Sequence, residues 1–247
     1  MNTYSHDNIV PFKESSDSKK KQVENMFDKI AFRYDFLNRF LSAGIDITWR
    51  KKAIRELVSL QPKNILDVAT GTGDFALTSY KVLKPDQITG IDISEKMLEI
   101  GRKKIGKLGL ASKIKLLKGD SEAIFFEVGS FDAVTVAFGV RNFENLEKGL
   151  SEIYRVLRPG GKVVILEFSK PSLPVVKDLY NFYMRFVTPI VGKLVSKNNE
   201  AYQYLNDSVQ KFPERNNFIH ILNQAGYRHS FYKTLSLGIC TIYCGEK

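Results

Sequence analysis

Ile65-Leu66-Asp67-Val68-Ala69-Thr70-Gly71-Thr72-Gly73-Asp74 runs from a short apolar strand-like segment through a glycine turn into residues 74–84, which read as helix. Glycines at such a turn let backbone approach a ligand closely, and the helix that follows offers unpaired N–H groups. Asp92 closes the next strand-like run, Gln87–Ile93, at the place where a carboxylate accepts hydrogen bonds from the two hydroxyls of a ribose. Outward from this segment the alternation continues. Ser94–Lys107 is helical with Ser94 as N-cap, and Ile114–Lys118 and Phe131–Ala137 are strands. Leu146–Leu157 is helical up to Pro159-Gly160-Gly161, and Lys162–Phe168 is a strand. Strands alternating with helices at this spacing specify an α/β fold with a helix-covered, mostly parallel sheet. Two last strand-like runs, Arg228–Leu235 and Gly238–Cys244, are joined by Ser236-Leu237 and close the sheet as an antiparallel hairpin, for seven strands in all.

Two ligands fit a strand, glycine turn, helix and distal acid. Gly71-Thr72-Gly73-Asp74-Phe75-Ala76 satisfies the relaxed G-x-G-x-x-A dinucleotide fingerprint, which keeps NAD open. Asp74 stands beside the turn, where a pyrophosphate wants no negative charge. S-adenosylmethionine carries a sulfonium and an ammonium instead, and Asp67 and Asp74 suit that cation. Asp120 with Ser121 ends the third strand, where a carboxylate can meet an adenine amino group; the alternative for Asp120 is a helix N-cap.

The chain has 247 residues, 43% hydrophobic and 26% charged, enough for a full core in one main domain. No uncharged apolar run reaches the ~18 residues needed to cross a membrane. Cys240 and Cys244 share one late stretch, and residues 1–25 lack an apolar leader, which points to the reducing cytoplasm. His6, His220 and His229 are scattered, so no metal site is expected. The net charge of +10 asks for an anionic partner. It is concentrated outside the motif blocks: residues 93–120 carry +5, residues 1–60 carry +3 and residues 167–247 carry +4. A basic RNA-binding module is therefore a rival from another class, although Lys19–Lys21 is the one run of three lysines.

The glycine segment, Asp92, Gly119-Asp120-Ser121 and Leu157-Arg158-Pro159-Gly160-Gly161-Lys162 resemble class I S-adenosylmethionine-dependent methyltransferases. Phe27-Asp28-Lys29-Ile30-Ala31 with Tyr34-Asp35, Ala137-Phe138-Gly139-Val140-Arg141-Asn142, Leu166-Glu167-Phe168-Ser169-Lys170-Pro171 and Tyr202-Gln203-Tyr204-Leu205 narrow the likeness. Over roughly residues 20–245 the chain is similar to the UbiE/MenG family of quinone-biosynthesis C-methyltransferases. Ala137 stands where that family commonly has Ser, and Thr70 where it often has Gly.

The resemblance implies a Rossmann-like fold and S-adenosylmethionine held by Asp67, Thr70, Gly71, Thr72, Gly73, Asp92, Asp120 and Ser121. It also implies methyl transfer to a ring carbon of a prenylated quinol: demethylmenaquinol, or the related prenyl-methoxy-benzoquinol. Carbon becomes nucleophilic once the neighbouring hydroxyl loses its proton, so the site must favour a phenolate in a dry pocket. Arg141, whose pKa is too high for a base, is expected to bind the oxyanion with Asn142. Tyr34 and Asp35 complete the set, Asp35 as general base. The alternatives are a structural carboxylate partner for Arg141, a core position for Tyr34 and a turn cap for Asp35. Residues 1–20 read as a mobile arm, 21–60 as a helical cap and 61–247 as the catalytic domain. An aromatic insertion at 172–212, with Phe182, Phe186, Ile190 and Leu194 at fourfold spacing, reads as a lid for the prenyl tail. Such a substrate lives in a bilayer, so peripheral contact with the anionic inner membrane face is expected, with no nucleic-acid role; a homodimer is compatible with the same reading.

Overall fold

The computed structural model describes residues 4, 6–171, 173, 174, 178 and 199–247. The described elements, in chain order, are α1 (Lys19–Leu41), α2 (Ile45–Arg55), β1 (Asn64–Val68), α3 (Asp74–Leu83), β2 (Gln87–Asp92), α4 (Glu95–Lys107) and β3 (Ile114–Lys118). They continue with β4 (Phe131–Ala137), α5 (Leu146–Val156), β5 (Leu157–Phe168), α6 (Asn199–Lys211), α7 (Asn216–Gln224), β6 (Arg228–Leu235) and β7 (Cys240–Glu246). The seven strands lie in the order β3-β2-β1-β4-β5-β7-β6. All neighbours are parallel except β7, which runs antiparallel to both β5 and β6. The strand order reverses between β1 and β4, so a crevice opens at their carboxyl ends.

Period-two burial explains the two-sided sheet. Leu66, Val68, Val134, Val136, Val163 and Ile165 pack on one face with Leu150 and Ile153 of α5 and Phe218 and Leu222 of α7. Their neighbours Ile65, Ala133, Val164 and Leu166 face the other way, onto Trp49 and Ile54 of α2, Phe75 of α3 and Leu98 of α4. Helix starts follow their caps: Ser94 Oγ accepts from Met97 N, and Asn145 Oδ1 accepts from Lys148 N.

Three expectations change. The strand expected from Lys162 begins at Leu157, with an irregularity opposite Phe131–Ala133 that absorbs the Pro-Gly-Gly. The helix expected over 48–59 spans 45–55 and is followed by a 3₁₀ turn at Val58–Leu60. The arm expected to be mobile is packed along residues 6–18. His6 is fully buried, edge-on to Phe212 at 5.2 Å, and Lys19 Nζ donates to its carbonyl at 2.9 Å. Gln22 Oε1 accepts from Phe12 N, and Gln22 Nε2 donates to Asp17 O. Composition marks this segment as polar, yet Ile9 and Phe12 pack against Val23 and Met26, and the Gln22 amide satisfies the turn's backbone. The aromatic insertion, apart from α6 and a few flanking residues, lies outside the described residues.

Close packing ties helix α4 to the glycine turn. A Cβ on Gly101 would stand 2.5 Å from Leu116 Cδ1 and 3.0 Å from the backbone C and O of Thr72. Gly101→Ala gains about 1 kcal/mol in helix propensity, but overpacking of about 1–3 kcal/mol opposes it, and Thr72 cannot move without moving the turn. The expected result is weaker S-adenosylmethionine binding with a melting temperature that does not rise, read by calorimetry and thermal denaturation.

Candidate active site

At the β1/β4 switch point a pocket forms under α1. Its walls come from the turn after β1, the ends of β2, β3 and β4, and the inner face of α1. Gly71, Asp92, Asp120, Ser121, Asn142 and Tyr34 line it, so the structure brings together one residue or more from each expected group. Asp92 is held at the end of β2 by backbone donors: Gly71 N to Oδ2 at 2.8 Å and Ser94 N to Oδ1 at 2.9 Å. Burial pushes its carboxyl up to about 6, against the pull of those N–H groups. Asp92 lines the pocket, where a carboxylate can accept from a vicinal diol. Ile93 and Met97 beside it supply an apolar wall for a flat base, and Asp120 and Ser121 sit where that base's edge would point. Gly71 has φ +56, and nothing lies within 4 Å of where its Cβ would be, so its backbone faces open pocket. These residues fit S-adenosylmethionine: Asp92 would take the ribose diol, Ile93, Met97 and Asp120 would hold the base, and the glycine turn would take the amino-acid end.

Other expected ligand-binding residues act one layer back. Asp67 is buried, accepting from Thr70 Oγ1 at 2.5 Å and Thr135 Oγ1 at 2.7 Å, with its carboxyl raised to about 6 by burial. It shapes the turn and does not line the pocket. Gly73, at φ +79, turns the chain into α3. Thr72 donates to Asp35 Oδ1 at 2.5 Å. Asp74 does not face the pocket either: Lys104 Nζ lies 2.7 Å and Arg39 3.2 Å from its oxygens. Those cations hold its carboxyl below the ordinary range despite desolvation. The charge that the sequence reading set against a pyrophosphate is thus already neutralised from α1 and α4.

The catalytic candidates divide. Asn142, in the 3₁₀ turn after β4, and Tyr34 line the pocket; Tyr34 meets Phe27 edge-on at 5.8 Å. Burial raises the Tyr34 hydroxyl, partly offset by Asn38 and by the charges of Arg50 and Arg141. Arg141 itself is buried, with Nη1 2.6 Å from both Glu167 Oε1 and the Phe138 carbonyl oxygen. The structural carboxylate, held as the alternative to an oxyanion contact, is what this arginine meets, and burial raises that carboxylate's pKa despite the pairing. Asp35 is not placed as a general base: Lys104 Nζ is 2.6 Å from its Oδ2, so it latches α1 to the glycine turn. For Asp120, Oδ1 accepts from Glu122 N in a turn, and no helix follows directly, so the N-cap alternative falls.

Lys20 was missed. Its Nζ reaches Asp120 Oδ2 at 2.7 Å and Glu122 Oε2 at 3.2 Å across the pocket mouth. Sequence offers only a lysine run there, because the partners lie a hundred residues away. Ala69 and Phe138 were missed too. Both adopt left-handed backbone at the ends of β1 and β4, and a Cβ on Gly139 would collide with Ala69 Cβ at 2.6 Å. Strained backbone of this kind gathers at ligand sites.

Residues 15–247 match the ubiE/COQ5 methyltransferase family. The chain belongs to the ubiE/COQ5 methyltransferase family. It is 46% identical over 245 residues to a demethylmenaquinone methyltransferase of Bacteroides fragilis, covering 99% of each chain. It is 46% identical over 230 residues to the ubiquinone/menaquinone biosynthesis C-methyltransferase UbiE of Geotalea daltonii, covering 93% of this chain and 97% of that one. Among solved structures, a SAM-dependent methyltransferase of Thermotoga maritima aligns with a TM-score of 0.62 at 20% identity, covering 90% and 99%. The S-adenosyl-L-methionine complex of Haemonchus contortus phosphoethanolamine N-methyltransferase 2 aligns at 0.55 and 16%, covering 75% and 48%. These structures share the fold. Family membership makes the chain an S-adenosylmethionine-dependent methyltransferase and does not favour the NAD and RNA-binding readings.

Asp92 sets an expected pH dependence. Its raised pKa means that it takes a proton near pH 6, and the sulfonium favours the charged form. Calorimetry should show S-adenosylmethionine affinity level above about pH 7 and falling below pH 6, by no more than about tenfold per unit for one proton. Asp92→Asn should bind about tenfold or more weakly at pH 7.5 and flatten that dependence.

Proposed function

We propose that this enzyme methylates a ring carbon of demethylmenaquinol, giving menaquinol. The observation that carries this reading is the 46% identity, over 99% of both chains, to the Bacteroides fragilis demethylmenaquinone methyltransferase. A second acceptor, the polyprenyl-methoxy-benzoquinol of ubiquinone biosynthesis, is favoured by the double name of the Geotalea daltonii relative.

Bound S-adenosylmethionine supplies an electrophilic methyl group. The chain's part is to hold the acceptor ring in line with it and to favour the ionised ring hydroxyl. Alignment of two bound reactants contributes several kcal/mol, up to ~7–11 in ideal cases. Asn142 offers an amide N–H on the pocket wall as a donor to the ring oxygen, and Tyr34 a hydroxyl from α1. Arg141 contributes from beneath as the positive end of its pair with Glu167; its charge and that of Arg50 pull the Tyr34 hydroxyl toward the anion, against the larger effect of burial. Burial strengthens each of these terms.

Purified protein given S-adenosylmethionine and a short-tailed demethylmenaquinol should yield a product heavier by one CH₂ by mass spectrometry. Absence of that product, with S-adenosylmethionine still bound, would overturn the acceptor assignment.

The acceptor's tail implies a membrane encounter, since each CH₂ buried in lipid is worth ~0.8 kcal/mol. No helix among the described residues is long and apolar enough to cross a membrane. Support for peripheral contact at the cytoplasmic face comes from the net charge of +10 and from Phe32 and Phe36. These lie one turn apart on α1 and are 91% and 60% exposed. Co-sedimentation with anionic vesicles should be strong at low salt and fall at high salt; equal binding in both would remove the electrostatic component.

A further inference from the structure

We propose that Tyr204 is a positioning residue that fixes the side-chain amide of Asn142 with its N–H turned toward the acceptor; this rests on the methylation reading above. An asparagine amide can seat two ways, differing by exchange of Oδ1 and Nδ2. The hydroxyl of Tyr204, on α6, stands 3.1 Å from Oδ1, and the Phe138 carbonyl oxygen stands 3.4 Å from Nδ2. The Phe138 oxygen, which also accepts from Arg141 Nη1 at 2.6 Å, can only accept and so selects the seating with Nδ2 toward it; at 3.4 Å that contact is long, and the tyrosine hydroxyl, donating to Oδ1, is what holds the amide there from the other side. Burial and the nearby Glu167 carboxylate keep that hydroxyl protonated, against the pull of Arg141. The second N–H of Nδ2 is left for the pocket that Asn142 lines. The flipped amide would present its carbonyl oxygen to a ring phenolate, replacing a donor by a repelling acceptor.

Tyr204 is buried among Val23 and Met26 of α1, so its ring is held in place from the α1 side. The chain segment Tyr202-Gln203-Tyr204-Leu205 thereby acquires a role in the chemistry although it lies some sixty residues beyond Asn142.

The test compares wild type, Tyr204→Phe, Asn142→Ala and the double variant as full-length proteins. Tyr204→Phe should lower kcat about tenfold, the worth of one such hydrogen bond, with KM and S-adenosylmethionine affinity within about twofold. It should also move the rising limb of the kcat pH profile upward, because the phenolate is less favoured. The double variant should be no slower than Asn142→Ala. Normal kcat in Tyr204→Phe, losses that multiply in the double variant, or cofactor affinity falling together with kcat would each overturn the proposal. One readout is independent of turnover: the Asn142 side-chain amide resonances, assigned by their loss in Asn142→Ala, should shift in Tyr204→Phe. Unmoved resonances overturn the positioning role, whereas a wild-type enzyme inactive on the quinol overturns the acceptor assignment.

Discussion

β1 and β4 lie side by side, but their connections leave in opposite directions, and the gap between them cannot be filled by either helix layer. That constraint locates the chemistry. The turn after β1 must carry ligand-facing backbone, the acid at the end of β2 must point inward, and the loop after β4 must form the far wall. The buried Asp67 makes the turn stiff enough for this task, because its two oxygens are satisfied by Thr70 from the turn and Thr135 from the neighbouring strand. A buried carboxylate without those donors would be costly; with them it fixes the turn's geometry against the sheet.

The gap also needs a roof, and α1 provides it through charge as well as packing. Lys104 meets Asp35 and Asp74 at once, Ser94 donates to Asp28 at 2.6 Å, and Lys118 pairs with Glu24. The roof is thus held by a row of part-buried and exposed ion pairs over an apolar strip around Val23 and Met26.

The parts legible in the sequence are those whose determinants are local. The glycine turn, Asp92 and Asp120 follow from strand ends and spacing alone, because parallel topology puts successive carboxyl ends at one edge. The strand and helix alternation was legible for the same reason. What sequence could not assign were side chains whose partners come from elsewhere. Asp35 and Asp74 look like free carboxylates until Lys104 is brought to them, and Arg141 looks available until Glu167 is placed beneath it. The packed arm was hidden because residues 6–18 use backbone hydrogen bonds to Gln22, which composition does not register. The family resemblance supplied the acceptor class, which no spacing in the chain encodes.

The lysine at the pocket mouth has a mechanical meaning. Lys20 touches Asp120 and Glu122 at the base-binding end, and Tyr34 stands at the acceptor end of the same helix. Fourteen residues of helix separate them, about 21 Å of one rigid rod. Among the described residues, the same helix covers both ends of the pocket. A displacement of α1 as a unit would therefore open the Asp120 end and the Tyr34 end of the pocket together.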